Sequence, residues 1–150
     1  MPLGIIIRAN IRQDKVCNQF GHDYIHFDGN AFAQGFGYIK DQQYLVIQSV
    51  DCEKYIEGQK ALGRILHTWQ DFYSHSNYVS LWLEENTNSK PKDIVHDDQE
   101  IFRNPRLKSG KNYGLVEFAA MIPLISNIIT PLMPDDSHAK MNFDSPGSGS

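Results

Sequence analysis

Apolar residues recur at helical spacing along most of the chain, and the clearest run is Ala61 to Trp82. There Leu62, Ile65, Leu66, Trp69 and Phe72 form one apolar face and predict a long helix from about Glu53 to Ser74. Upstream, Ile6, Ile7, Asn10, Ile11, Asp14 and Cys17 fall three and four apart and predict a first amphipathic helix from Leu3 to about Phe20. Gly21 breaks that pattern, and a polar, turn-rich segment follows from His22 to Asn30. Between Asn30 and Val50, Phe32, Phe36 and Ile39 favour a helix whereas Tyr44 to Ile47 have strand composition. No second strand pattern is near enough to pair with them, so a helix is expected, with a loop around Val50 to Cys52.

Beyond the long helix, Val79, Leu81 and Trp82 predict a short turn or helix over Tyr78 to Leu83. Residues 84–114 are polar and punctuated by Pro91, Asn104-Pro105 and Ser109-Gly110, which predicts a long loop of the kind used as a lid or carried as an insertion. Leu115 to Met133 reads as a buried helical segment interrupted by Pro123 and Pro131. The expected fold class is all-α, a single multi-helix domain over 1–146, with 147–150 a flexible tail or cut point.

Composition narrows this picture modestly. A chain of 150 residues, 41% of them hydrophobic, can bury one core. A formal charge of −4 and a pI near 5.8 argue against a duplex nucleic-acid partner. No apolar run approaches the length of a membrane span, and the start, with its short apolar run broken by Arg8, does not read as a secretory leader. An exported protein would need its leader elsewhere. Cys17 and Cys52 are compatible with one disulfide or with two free thiols.

The candidate chemistry lies in His and Asp residues. His67, Asp71 and His75 stand at i, i+4 and i+8 on the long helix, and each such step turns about 40°, so the three span an arc of about 80°. Neutral imidazole and ionised carboxylate are both ligands that zinc accepts. The turn segment adds His26 and Asp28, which diverge on a helix but can face one site from an irregular segment. Asp28 and Asn30 can equally cap the helix that opens at Ala31. Asp14, sharing a face with Asn10, and His138, six residues before Asp144, are further candidate ligands, while His22 and His96 are weaker ones. The competing account is a buried hydrogen-bond network of His and Asp without metal.

The string LGRILHTWQDFYSHSNYV resembles the most characteristic segment of the Het-C (heterokaryon incompatibility) proteins and their von Willebrand A-associated relatives, in which Leu-His-x-x-Gln-Asp-Phe-Tyr-Ser-His-Ser-Asn recurs. Asn10 with Asp14, and His26, Phe27, Asp28 and Asn30, match two weaker strings of the same proteins, and the segment around His138 a third. More distantly, the His-x-x-x-Asp helix is similar to that of zinc-dependent phospholipase C and single-strand-specific zinc nucleases. Those place the next His six residues after the Asp, whereas His75 follows Asp71 by four. The resemblance implies a phospholipase C-like helical fold and a zinc-dependent phosphoric ester hydrolase. Its ligands would be His26, Asp28, His67, Asp71 and His75, with Asp14 and His138 in support, and Asp71 would bridge ions at the catalytic centre. The implied substrate is a phospholipid or another phosphate ester. The same resemblance equally implies a non-catalytic, metal-stabilised module of a cytotoxic or self-recognition protein.

Overall fold

The computed structural model describes residues 1–15, 21–90, 93–95, 98–113 and 122–141. The protein is all-α, and among the described residues there is no strand, although isolated bridges join Ser76 to Ser109 and Lys111 to Ser137. Two compact units divide the chain, Met1–Phe72 and Tyr73–Ser150. Cys17, His96, Asp144 and the tail 147–150 lie outside the described residues, as does the side chain of His138.

In the first unit, helix α1 (Pro2–Ile11) starts with a proline at its N-terminus, where the missing N–H costs nothing, and continues as a 3-10 turn over Arg12–Asp14. The helix does not reach Phe20 as its periodicity predicts. After Ile11 the chain reads Arg-Gln-Asp-Lys with no apolar residue to hold a helix down, and Lys15 takes extended backbone angles. Helix α2 (Phe32–Asp51) includes Tyr44 to Ile47, so helical context overrides their strand composition. A tight turn leads to helix α3 (Tyr55–His75), with Glu53 at φ 58 and the Lys54 N–H donating to the Ser49 carbonyl at 2.7 Å.

Small residues set how closely these helices pack. A Cβ at Gly63 of α3 would collide with the Ile6 carbonyl oxygen and approach the Ala9 Cβ to 2.8 Å, so α1 lies directly on the α3 backbone. The buried side of α3 accordingly runs through Ala61, Gly63, Ile65, Thr68 and Phe72. Leu62 and Leu66, expected on the apolar face, are exposed instead, because the contact is made by small residues and the large ones flank it.

The second unit contains helices α4 (Tyr78–Glu85), α5 (Gln99–Arg103), α6 (Pro123–Ile129) with a 3-10 turn Thr130–Leu132, and α7 (His138–Met141). Residues 84–114 are not a plain loop. Asp98 caps α5 by accepting from the Glu100 and Ile101 N–H groups, and the buried Tyr78 hydroxyl donates to the Val95 carbonyl at 2.6 Å. Asn77 precedes α4 and clamps the returning chain: its Nδ2 donates to the Arg106 carbonyl and its Oδ1 accepts from the Lys108 N–H. The 115–133 stretch departs from its expected burial, since Ile128 and Leu132 are exposed; residues 115–121 lie outside the described residues. Among the described residues, no helix is long and apolar enough to cross a membrane.

The α1–α3 contact yields a test. Alanine favours a helix over glycine by about 1 kcal/mol, yet Gly63→Ala is expected to lower unfolding free energy by about 1–3 kcal/mol through overpacking. Urea denaturation of the two proteins checks it, and a stabilised variant would show that α1 does not approach α3 this closely.

Candidate functional site

The turn between the first two helices is wound by residues with positive φ. Phe27 (φ 54), Gly29 (φ 60) and Asn30 (φ 62) all adopt left-handed backbone, which costs a non-glycine residue about 1 kcal/mol or more. Phe27 is fully buried, with ring centroids 5.0 Å from Phe36 and 5.1 Å from Phe72. Gly35 makes room for it, since a Cβ there would stand 2.6 Å from the Phe27 ring. Ala31 occupies the N-cap of α2, without a side-chain cap bond.

With Phe27 anchored, its neighbour His26 meets the neighbour of Phe72. His26 Nδ1 lies 2.7 Å from Asp71 Oδ2. His67 Nε2, one helical turn before Asp71, is 3.0 Å from the same oxygen and 3.2 Å from His26 Nδ1. The two imidazoles stand edge to face with centroids 5.1 Å apart. From the 3-10 turn after α1, Asp14 Oδ1 approaches His67 Nε2 to 3.7 Å. One ligand-type atom from each of Asp14, His26 and His67 lies within 4.8 Å of the other two. His26, His67 and Asp71 are buried, whereas Asp14 closes the cluster from the exposed side.

The other sequence-predicted residues take different places. Asp28 is buried and lines, with Asp23 and Asn30, a cavity of about 360 Å³ on the turn. Burial, and then the Asp28 charge, push the Asp23 carboxyl above its usual range, against the pull of His26 and His22. His22 lies tilted against Tyr24, with centroids 5.9 Å apart and the rings at 57°. His75 is buried in the second unit, where its carbonyl accepts from the Gly110 N–H. Asn10 donates to Gln70 Oε1 at 2.8 Å and serves to tie α1 to α3. Sequence reasoning missed Phe27 and Gly35 as the residues that aim His26; the aromatic spacing of Phe27, Phe32 and Phe36 carries that signal.

A family model for the VWA7 N-terminal domain matches residues 2–104, a span that contains Asp14, His26, His67 and Asp71. The chain belongs to this family. Among curated proteins, the von Willebrand factor A domain-containing protein 7 of Rattus norvegicus and that of Mus musculus are each 34% identical to it over 79 residues, and that of Homo sapiens is 33% identical. The match takes in 53% of this chain and 9% of each relative, so the chain spans only a small part of their length. No solved structure matches it. The VWA7 N-terminal assignment corrects the Het-C and phospholipase C resemblance. A dozen residues of one helix report a local His- and Asp-bearing face, and that is too little chain to fix a family. The hydrolase, its phospholipid substrate and the self-recognition role rested on that resemblance and fall with it.

Because Phe27 aims His26, truncating it is expected to loosen the unit. Phe27→Ala is predicted to cost about 3–5 kcal/mol in urea denaturation, whereas Tyr44→Ala at an exposed position of α2 changes stability by less than about 0.5 kcal/mol. Equal effects would remove Phe27 from its anchoring role.

Proposed function

We propose that the Met1–Phe72 unit of this VWA7 N-terminal-family chain holds one divalent transition-metal ion between the turn that follows α1, the 22–30 turn and α3. The observation that carries the proposal is that donor atoms of Asp14, His26 and His67 gather within 4.8 Å of one another, with Asp71 Oδ2 against both imidazoles. An ion bound at about 2.0–2.1 Å by tetrahedral ligands separates them by about 3.4 Å. The separations among His26 Nδ1, His67 Nε2, Asp71 Oδ2 and the approach of Asp14 Oδ1 are 2.7, 3.0, 3.2 and 3.7 Å.

Charge supports the same reading. Two carboxylates gather around two imidazoles, and Asp71 is buried, so its desolvation needs a cation or strong donors to offset it. A divalent ion neutralises Asp14 and Asp71 together. Two imidazole nitrogens favour a borderline-soft ion over calcium, which takes oxygen ligands. Asp71 acts here as a ligand that also orients both rings.

A second reading has its own observation. The 2.7 Å separation of His26 Nδ1 and Asp71 Oδ2 is that of a charge-assisted hydrogen bond, which by itself ties the turn to α3. Titration of the chelator-treated protein with Zn²⁺, Mn²⁺ and Ca²⁺, followed by calorimetry and thermal unfolding, separates the two. About one Zn²⁺ or Mn²⁺ per chain is expected, with no comparable calcium binding. At ion concentrations near 100 times Kd, stability rises by about 2.7 kcal/mol. Asp14→Asn, at an exposed position, weakens the ion at least about tenfold without changing stability in its absence. Binding also weakens on acidification, because protons compete for the imidazoles. A wild-type chain that takes up neither transition ion, with its melting temperature unmoved, leaves the hydrogen-bonded cluster as the correct account.

A further inference from the structure

A cavity of about 230 Å³ lies between α1 and α3 in the first unit. Its walls carry Arg8 and Arg12 from the α1 side and Lys60 and Arg64 from α3, beside the apolar Ile5 and Ile56. More than half of the Lys and Arg side chains in residues 1–72 therefore meet at one cavity, in a chain of net charge −4. Chance scattering of basic residues over a surface does not favour this. Each helical strand of the cavity bears its two cations at i and i+4, a spacing at which like charges destabilise a helix by a few tenths of a kcal/mol.

The cationic groups are also partly organised. Arg64 is half-buried, and its Nε donates to Gln42 Oε1 at 2.5 Å, which fixes the plane of the guanidinium. Lys60 pairs with Glu57 at 2.8 Å, and that exposed carboxylate also feels the Arg64 charge, so part of the positive charge is offset. Arg8 and Arg12 add forked donors of the shape that binds tetrahedral oxyanions in two-point fashion.

We propose that this cavity binds a phosphate-type dianion, presented by a soluble phosphomonoester or by a lipid head group. The site is separate from the His26/His67/Asp71 cluster and does not depend on an ion there. The excess of positive charge favours a dianion over a carboxylate, which would offset less of it. The volume lies below the range of about 300–1,000 Å³ for drug-sized ligands, so the cavity accommodates a head group rather than a whole cofactor. Ile5 and Ile56 offer apolar contact to the carbons that carry the phosphate.

The test titrates glycerol 3-phosphate, inorganic phosphate and acetate into the 150-residue chain in EDTA-containing, low-salt buffer, read by nitrogen-edited NMR of the arginine side chains. Saturable binding of both phosphates is expected, with the Arg8, Arg12 and Arg64 signals moving and acetate at least about tenfold weaker. Arg8→Gln and Arg64→Gln should each weaken glycerol 3-phosphate about tenfold, while Lys54→Gln, outside the cavity, leaves it nearly unchanged. Arg8 is exposed, so its variant loses no buried packing. Co-sedimentation with phosphatidylcholine vesicles containing phosphatidic acid, lost in the Arg8→Gln/Arg64→Gln protein, identifies a lipid head group as the source. Binding of glycerol 3-phosphate without co-sedimentation identifies a soluble ester. The proposal is overturned by an absence of saturable glycerol 3-phosphate binding, by acetate binding equally well, or by unchanged affinity in both arginine variants.

Discussion

The first unit depends on two pairs of consecutive residues, His26–Phe27 on the turn and Asp71–Phe72 on α3. The polar members meet at 2.7 Å and the aromatic members at 5.1 Å between centroids, so one hydrogen bond and one ring contact fasten the same two backbones side by side. The left-handed backbone of Phe27 costs about 1–3 kcal/mol. Full burial of its ring contributes about 1.5–3 kcal/mol, and each aromatic contact about 0.5–1.5 kcal/mol more, so packing outweighs the strain. The strain is what lets adjacent side chains serve different ends. Extended or helical backbone at Phe27 would not send its ring into the Phe36–Phe72 cluster while aiming His26 at Asp71.

Helix existence was legible in the sequence because burial of a periodic face is what makes these helices stable, and α2 to α4 fall close to the ranges that periodicity predicts. Their contacts were less legible. Period reading gives weight to Leu62 and Leu66, but the close approach of α1 selects Ala61, Gly63 and Ile65, and a glycine leaves no mark in a hydrophobic pattern. The end of α1 was missed because Asp14 and Cys17 continue a spacing whose intervening residues supply no apolar anchor. Order in the 84–114 stretch comes from Asn77, Tyr78 and Asp98, single side chains that satisfy backbone groups of distant residues, and such bonds have no period.

For the candidate site, the pairing of His67 with Asp71 could be read from their four-residue spacing alone. The meeting of His26 with that face needed the turn to be wound as it is, which neither composition nor alternation encodes. Asp28 shows the other side of this. Two residues from His26, it was expected to share one site with it; the turn, wound through the positive φ of Phe27 between them, buries it and sets it beside Asp23 in the turn's cavity. A shared short motif therefore marked the face on which His67 and Asp71 meet His26, while pointing to the wrong family.

The seam between α1 and α3 links the two chemical features of the unit. Gly63 lies between Lys60 and Arg64 on one helix and faces Ile6, Ala9 and Asn10 on the other, directly beside the positions of Arg8 and Arg12. Asp14 reaches His67 from the same side of α1, at 3.7 Å, a distance that a wider seam could not keep. Cations and carboxylates are thus sorted along one contact: the basic pairs flank it, while Asp14, His67 and Asp71 come later in both segments. Neither group could be assembled by α3 alone, because a single helix presents its i and i+4 residues over only about 40° of arc. The close approach permitted by one missing Cβ is therefore the condition for gathering charge of either sign.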